Sequence, residues 1–167
     1  MASLSNILKP FLFEISTLLG LILTGLLGLR VDALFGLQVF STWPYSYFGI
    51  APILGGVGLR FWASFTIFNN GKGTPLYTRP PKVLVTSGPY QLIRNPLYLG
   101  GFLIYLGIIL TIPSIFLAIL GLAGLPITYI GIGREEKGLE RRFGEDYRRY
   151  KQSVPGWIPR IARSSPS

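Results

Sequence analysis

The sequence predicts an all-α integral membrane protein with about four transmembrane helices and an amphipathic C-terminal helix on the cytoplasmic side. Two observations support this prediction. Nearly half of the residues, 49%, are hydrophobic, and they fall in long runs, whereas a soluble core would scatter them along the chain. The polar residues are concentrated in one central loop and in the C-terminal segment. Because 167 residues suit one domain, we predict a single domain over residues 1–167.

The predicted spans are the four apolar runs at residues 7–29, 45–68, 97–112 and 114–133. The first run is longer than the apolar core of a signal peptide and lacks a small-residue cleavage site, so we expect it to be retained as a helix. The third run is short for a bilayer core of about 30 Å, which fits a tight hairpin with Pro113 at its turn.

Two charged residues lie inside the first two runs. Glu14 is near the start of the first run, and we expect it at the membrane interface rather than among other helices. Arg60 lies deeper in the second run, where it either reaches the surface or faces a polar cavity. The nearby glycines Gly55, Gly56 and Gly58 would allow another helix to approach closely.

Basic residues predict the orientation. The loop at residues 69–96 and the segment at 134–167 are rich in Lys and Arg, whereas the loop after the first span, with its Arg30/Asp32 pair, is not. By the positive-inside rule, both basic segments and both termini are predicted to be cytoplasmic. The net charge of +9 then indicates contact with anionic membrane lipids.

The composition also excludes several kinds of site. The chain has no cysteine and no histidine, so disulfides, Cys/His zinc sites, thiol nucleophiles and Ser-His-Asp triads are all excluded. A histidine general base is excluded for the same reason. We predict no metal and no nucleic-acid partner, because the tail aromatics follow the spacing of a packed helix and no nucleic-acid-binding fold is indicated.

The stretch TSGPYQLIRNPLYLGG, residues 86–101, passes from polar sequence into the third span. Asn95 followed by Pro96 predicts a helix start, since Asn is a good N-cap and Pro is favoured at the first helical position. Arg94 places a positive charge beside backbone N–H groups at that helix N-terminus, which predicts an anion site near the membrane surface. A capped transmembrane helix with a flanking arginine and no ligand is the alternative.

The C-terminal segment reads GREEKGLERRFGEDYRRYKQSVPGWIPR. Its apolar and aromatic residues recur every three or four positions and predict an amphipathic helix: Leu139, Phe143, Tyr147 and Tyr150. Glu135 and Glu136 directly follow the fourth span, where a carboxylate pair is costly unless it meets positive charge. Arg94 lies on the same predicted side of the membrane. A lipid-surface helix whose charges pair along itself is the alternative.

A helix N-terminus, two carboxylates, arginines and tyrosines would together suit a zwitterionic ligand that carries a carboxylate and an ammonium group. S-adenosylmethionine fits this description: its carboxylate would meet arginine or N–H groups, and its cationic groups would meet carboxylates or aromatic faces. The residue types alone do not select it over other zwitterions.

The two blocks GPYQLIRNPLYLGG and EEKGLERRFGEDYRRYKQSVPGWIP, separated by a helical hairpin, resemble the membrane methyltransferase superfamily in order and spacing. That superfamily contains the isoprenylcysteine carboxyl methyltransferases and the phospholipid N-methyltransferases. The resemblance covers about residues 71–159. The family pattern at the first block is Arg-His-Pro-x-Tyr-x-Gly, and Asn95 stands here in place of the His. Asn forms hydrogen bonds but takes no proton at neutral pH, so no role that needs a titrating His is expected.

The resemblance implies that S-adenosylmethionine is the methyl donor and S-adenosylhomocysteine the product. The cofactor-binding residues that it implies are Tyr90, Arg94, Asn95, Pro96, Tyr98, Gly100, Glu135 and Glu136. The catalytic residues that it implies are Arg141, Arg142 and Glu135. Either Arg141 or Arg142 would face the accepting group, and Glu135 or Glu136 would relay a proton from an amine acceptor.

The implied function is methyl transfer to a lipophilic small molecule or lipid at the cytoplasmic face, most like isoprenylcysteine carboxyl O-methylation. The enzymatic alternatives are phospholipid N-methylation and methylation of a small-molecule thiol. A non-catalytic membrane scaffold that keeps the fold is the alternative from another class.

Overall fold

A computed structural model of the chain describes residues 4–37, 45–71, 82–112 and 114–157. These residues form α-helices and short 3-10 helices, without a β-strand among them. The α-helices are α1, Leu4–Leu34; α2, Ile50–Asn70; α3, Pro96–Thr111; α4, Ile115–Phe143; and α5, Glu145–Ser153. The 3-10 helices are Tyr45–Gly49, before α2, and Gly88–Gln91, before α3. The predicted turn at Pro113, residues 72–81 of the predicted loop and residues 158–167 of the tail lie outside the described residues.

Three stretches within the described ranges are long and apolar enough to cross a membrane: Pro10–Leu34, Ser46–Asn70 and Ile115–Phe143. They contain most or all of the apolar runs predicted at 7–29, 45–68 and 114–133, and the all-α prediction is confirmed for this part of the chain. Helix α3 is also apolar but has only 16 residues. At 1.5 Å per residue it is about 24 Å long, less than a bilayer core of about 30 Å.

Contacts between helix ends show which ends of the helices lie together. The backbone N–H of Phe116 donates to Asp32 Oδ1 at 3.0 Å, so the end of α1 meets the start of α4. The hydroxyl of Thr111 donates to the carbonyl of Ser46 at 3.3 Å, so the end of α3 meets the start of α2. Helix α1 continues to Leu34, five residues beyond the predicted end at 29, because buried Asp32 satisfies an N–H group at the start of α4.

Helices α2 and α3 pack backbone against backbone. A Cβ atom added to Gly56 would lie 2.5 Å from the carbonyl oxygen of Gly100, and Gly107 approaches the first turn of α2 equally closely. Small residues permit such contact between apolar helices. Gly55 and Gly58 have nothing within 4 Å of that position, so only one of the three glycines predicted for close packing lies in this interface.

The C-terminal region differs from the predicted single amphipathic helix that begins at residue 134. Helix α4 runs without interruption to Phe143, and the break comes at Gly144, whose φ of +56° suits a residue without a Cβ. Helix α5 then turns back onto the bundle. The face predicted from the aromatic spacing does pack: a buried cluster comprises Tyr147, Tyr150 and Val154, with Leu84, Leu139 and Phe143 against it.

Candidate active site

Charged residues from the turn before α3, from α4 and from α5 meet at one end of the bundle. Arg94 Nη1 lies 2.7 Å from Glu136 Oε1, and Lys151 Nζ lies 3.2 Å from Glu136 Oε2. The side chains of Arg94 and Glu136 are only 12% and 16% exposed. The carboxylate that follows the apolar part of α4 is therefore neutralised by two cations that come from other parts of the chain.

Residues 154–157, which we call the C-terminal strap, bind the turn that carries Arg94. The backbone N–H groups of Arg94 and Asn95 donate to the carbonyls of Pro155 and Gly156 at 2.8 and 3.2 Å. The strap therefore holds the turn directly before α3, whereas the anion site was predicted at the N–H groups of the helix N-terminus itself and stays a prediction. Asn95 occupies the predicted N-cap position of α3, but its side chain makes no capping hydrogen bond.

Several buried polar atoms on the segment directly before α3 have no hydrogen-bond partner within the described ranges. They are the hydroxyl of Tyr90, Nε and Nη1 of Arg94, and Nδ2 of Asn95. Arg94 Nη1 is close to Glu136 but is not aligned for a hydrogen bond, so the contact is an ion pair alone. Each buried polar group without a partner costs about 1–3 kcal/mol, and native structures keep few of them. A cluster of such atoms therefore suits a ligand that offers hydrogen-bond acceptors.

The tyrosines around this cluster stay protonated at neutral pH. Burial raises the pKa of Tyr90 well above its ordinary value, and the charge of Glu135 adds to the shift. Burial likewise raises the pKa of Tyr147 to about 12, with Glu136 adding to the effect and Arg94 opposing it. The pKa of Tyr150 is also raised by burial, and its hydroxyl donates to the carbonyl of Tyr90 at 2.6 Å. All three hydroxyls are therefore neutral donors.

A cavity of about 710 Å³ extends from this end of the molecule between the helices. At its polar end the hydroxyl of Tyr98 donates to Glu135 Oε2 at 2.8 Å, and both residues line the cavity with Trp157 of the strap. Apolar residues from three helices form much of the remaining wall: Phe13, Leu97, Phe102, Leu120 and Leu125. An apolar cavity of this size with a few polar groups at one end suits a lipophilic ligand.

A buried ion pair of two residues that were not predicted for the site adjoins the same cavity. Arg60 lines the cavity, and its Nε donates to Glu14 Oε2 at 2.7 Å. Glu14 is 1% exposed and also accepts from the hydroxyl of Ser64, so the expectation that it lies at the interface is wrong. Its position is explained by Arg60 on the facing helix, which neutralises it. The signal in the sequence was that two consecutive apolar runs each contain a charged residue, an acid in the first run and a base in the second.

The structure brings together part of the predicted set. Arg94 and Asn95 bind the strap and Arg94 pairs with Glu136, while Tyr98 and Glu135 line the cavity. Tyr90 is buried in the 3-10 helix before α3. Pro96 is buried at the first position of α3. Gly100 lies against α2, where an added Cβ would be 2.6 Å from Arg60 Cγ. Arg141 and Arg142 are exposed in the last turn of α4.

Comparisons with known proteins give three partial matches to curated relatives. Over 103 residues the chain is 34% identical to a methanethiol S-methyltransferase of Crocosphaera subtropica, covering 60% of this chain and 36% of that protein. Over 67 residues it is 42% identical to an uncharacterized protein of Haemophilus influenzae, covering 40% and 87%. Over 79 residues it is 32% identical to the nickel-cobalt-cadmium resistance protein NccN of Alcaligenes xylosoxydans xylosoxydans, covering 47% and 37%.

The chain thus spans little more than a third of the methanethiol methyltransferase. A family profile gives the broader match: residues 44–146 fit the family described as phospholipid methyltransferase. This range includes α2, α3 and α4, the Arg94 block and the two glutamates after the fourth apolar run. It covers more than half of the chain and confirms the resemblance that the two sequence blocks indicated. The chain therefore belongs to the phospholipid methyltransferase family.

Proposed function

We propose that the protein transfers a methyl group from S-adenosylmethionine to a lipophilic acceptor held in the cavity between the helices. One observation carries the proposal: Arg94 and the neighbouring Asn95 have buried donors without partners, Arg94 pairs with Glu136, and the adjacent Glu135 lines the polar end of an apolar cavity. Family membership supports methyl transfer, and the three long apolar helices support a membrane location.

The donor set fits the methionine part of the cofactor. Arg94 Nε and Asn95 Nδ2 would hold its carboxylate, while Glu135 and Glu136 would attract its positive groups. When bound, the cofactor supplies a methyl group on a positively charged sulfur. The protein contributes alignment and exclusion of water, and the strap with Trp157 covers the site from one side.

The acceptor decides how much proton chemistry is needed. A carboxylate acceptor, as in isoprenylcysteine carboxyl O-methylation, attacks without losing a proton. Carboxyl O-methylation of this kind is the named activity that the proposed reaction most resembles. An amine or thiol must first lose a proton, and Glu135 is the cavity-lining carboxylate placed to take it. The family's name favours phospholipid N-methylation, and the name of the Crocosphaera relative favours thiol methylation. Arg141 or Arg142 would then face the acceptor from the end of α4.

The decisive measurement is calorimetric binding of S-adenosylmethionine and S-adenosylhomocysteine to the purified protein in detergent. We expect saturable binding, weakened at least tenfold in the Glu135→Gln/Glu136→Gln variant, since loss of a charged contact costs about 1.5–3 kcal/mol. Glu145→Gln is the matched control, because that carboxylate is 60% exposed and lies on α5. Absence of binding by folded protein, in detergent and again in lipid, would favour the non-catalytic scaffold instead.

The acceptor is identified by methylation assays with labelled cofactor. N-acetyl-S-farnesylcysteine, phosphatidylethanolamine in vesicles and a long-chain alkanethiol represent the carboxylate, amine and thiol classes. We expect label in the product of only one class. Failure of all three with protein that binds the cofactor would count against a lipophilic acceptor.

We also propose that α3 crosses the membrane with the other three helices, so that the start of α1 and helix α5 are both cytoplasmic. Because the chain has no cysteine, single cysteines can be introduced without background. Arg149→Cys on α5 and Leu34→Cys at the end of α1 are both at exposed positions. In right-side-out cells a membrane-impermeant maleimide should label Leu34→Cys and leave Arg149→Cys unlabelled. The reverse pattern would contradict this orientation.

A further inference from the structure

Arg60 is the charged side chain that α2 contributes to the cavity wall. It is 9% exposed and is held on several sides. Its Nε and Nη2 contact the two carboxylate oxygens of Glu14 at 2.7 and 3.5 Å, and Nη2 also contacts the hydroxyl of Thr17. Its stem crosses α3 at Gly100, where there is no Cβ to obstruct it. The guanidinium is therefore fixed in position before any ligand arrives.

The end of the guanidinium opposite Glu14 faces the cavity. Nη1 donates to the carbonyl of Leu97 at 3.1 Å and would lie 3.5 Å from a Cβ on Gly101, and both of these residues line the cavity. A guanidinium has five N–H donors, of which Nη1 holds two. The contacts found in this part of the chain account for one of those two. The second N–H of Nη1, at the cavity wall, therefore has no acceptor among the described residues.

Among the described residues, two charged side chains line the cavity, and they have opposite signs and belong to different helices. Glu135 on α4 lies at the polar end, bonded to Tyr98, whereas Arg60 on α2 is paired with Glu14 behind it. A buried ion pair adds little net stability compared with well-packed apolar residues, so stability alone gives weak reason for this arginine. A fixed arginine with a donor facing a cavity is, however, suited to a carboxylate or phosphate.

We propose that Arg60 anchors an oxyanion of the methyl acceptor, a carboxylate or a phosphate, and that Glu14 positions the guanidinium for this contact. The inference rests on the proposed function in that it takes the cavity as the acceptor site. It selects acceptors that combine an apolar chain with an oxyanion, and it assigns acceptor recognition to α2. A neutral acceptor such as an alkanethiol would gain nothing from Arg60.

Trp157 offers a direct signal of cavity occupancy. The chain has three tryptophans, so a Trp43→Phe/Trp62→Phe background leaves Trp157 as the one fluorophore of its kind. Quenching is titrated with three probes that share one chain: ω-bromododecanoic acid, ω-bromododecyl phosphate and ω-bromododecanol. The titrations use protein in a neutral detergent at about pH 8, where carboxylic acids are ordinarily ionised. The two acidic probes separate a carboxylate acceptor from a phosphate-bearing lipid.

Two variants remove the proposed contact in different ways. Arg60→Lys keeps a cation beside Glu14 but lacks Nη1, and Glu14→Gln/Arg60→Gln removes both charges without leaving one buried alone. Arg30→Gln, at an exposed position near the end of α1, is the control for loss of an arginine. We expect each test variant to raise the half-saturating concentration of the preferred oxyanion about tenfold, as loss of a charge-assisted hydrogen bond implies, and that of the alcohol less than threefold.

Equal losses of affinity for the oxyanion and alcohol probes would mean that Arg60 only shapes the cavity, and this would overturn the proposal. Unchanged oxyanion affinity, or quenching that never saturates, would overturn it as well. Calorimetry with S-adenosylhomocysteine on the same variants should show no change. If the parent protein binds no cofactor, the proposed function fails, and the probe titration still decides whether Arg60 binds an oxyanion.

Discussion

Two arginine–glutamate pairs with the same separation of 2.7 Å have different surroundings. In the pair of Arg60 and Glu14, the carboxylate also accepts from a serine, and the guanidinium also bonds a threonine and a backbone carbonyl. In the pair of Arg94 and Glu136, the carboxylate also meets Lys151, but Arg94 Nε and Nη1 have no hydrogen-bond acceptor where the structure is described. The first pair is nearly satisfied by the protein, and the second is not.

This difference indicates that the two pairs have different roles. A buried charge whose partners all come from the protein is rigid, so the first pair joins α1 to α2 and aims one remaining donor into the cavity. A buried charge whose N–H donors lack acceptors destabilises the free protein, and those donors form hydrogen bonds when a ligand binds. The second pair, together with the unpartnered donor of the neighbouring Asn95, is therefore the better candidate for cofactor binding.

The largest effect should come from breaking the first pair. Glu14→Gln leaves the Arg60 charge buried without compensation, which typically costs about 3–5 kcal/mol. We expect a correspondingly large fall in the free energy of unfolding in detergent. Glu14→Gln/Arg60→Gln should recover more than half of that loss, because neither charge is then left alone. A double variant as unstable as the single one would show that the two charges are not coupled.

An intermediate effect should follow from pushing α2 and α3 apart at Arg60. Gly100→Ala places a Cβ 2.6 Å from Arg60 Cγ and 2.9 Å from the carbonyl oxygen of Gly56, both too close for contact. Overpacking of this kind costs about 1–3 kcal/mol. Gly55→Ala is the matched control, since nothing lies within 4 Å of its Cβ position. If Gly100→Ala keeps its stability and loses only affinity for S-adenosylhomocysteine, Gly100 acts in the cofactor site and not in packing.

The second pair should respond in binding more than in stability. Glu136→Gln removes the charge between Arg94 and Lys151, and we expect about a tenfold weaker affinity for S-adenosylmethionine, close to 1.4 kcal/mol. The free energy of unfolding should fall by less than half of the loss seen for Glu14→Gln, because Arg94 already lacks hydrogen bonds. A larger loss of stability with unchanged cofactor affinity would reverse the roles of the two pairs.

The sequence was informative about the second pair because its residues fall in recognisable blocks. Glu135 and Glu136 directly after an apolar run required a nearby cation, and Arg94 before another run supplied one. The first pair was missed because Glu14 near a helix end also suits the membrane interface, and single-helix patterns do not show which residue of another helix faces it. The strap was missed for a similar reason: Pro155 and Gly156 meet the turn before α3 through backbone atoms, which no side-chain pattern encodes.

The smallest effect concerns Tyr147, which lies near the second pair, and it appears only in alkali. Burial and the charge of Glu136 raise its pKa from about 10 in the unfolded chain to about 12, against the opposing effect of Arg94. A raised pKa means that the folded state holds the proton more tightly. The contribution of Tyr147 to stability is therefore fully present below pH 10 and is lost as the pH rises toward 12. We expect the midpoint temperature of thermal unfolding to fall less steeply over this range in Tyr147→Phe than in the parent. The slope that remains would come from Tyr150. Identical slopes would place the titrating group elsewhere, whereas a steeper slope in Arg94→Gln would confirm that this arginine acts on Tyr147.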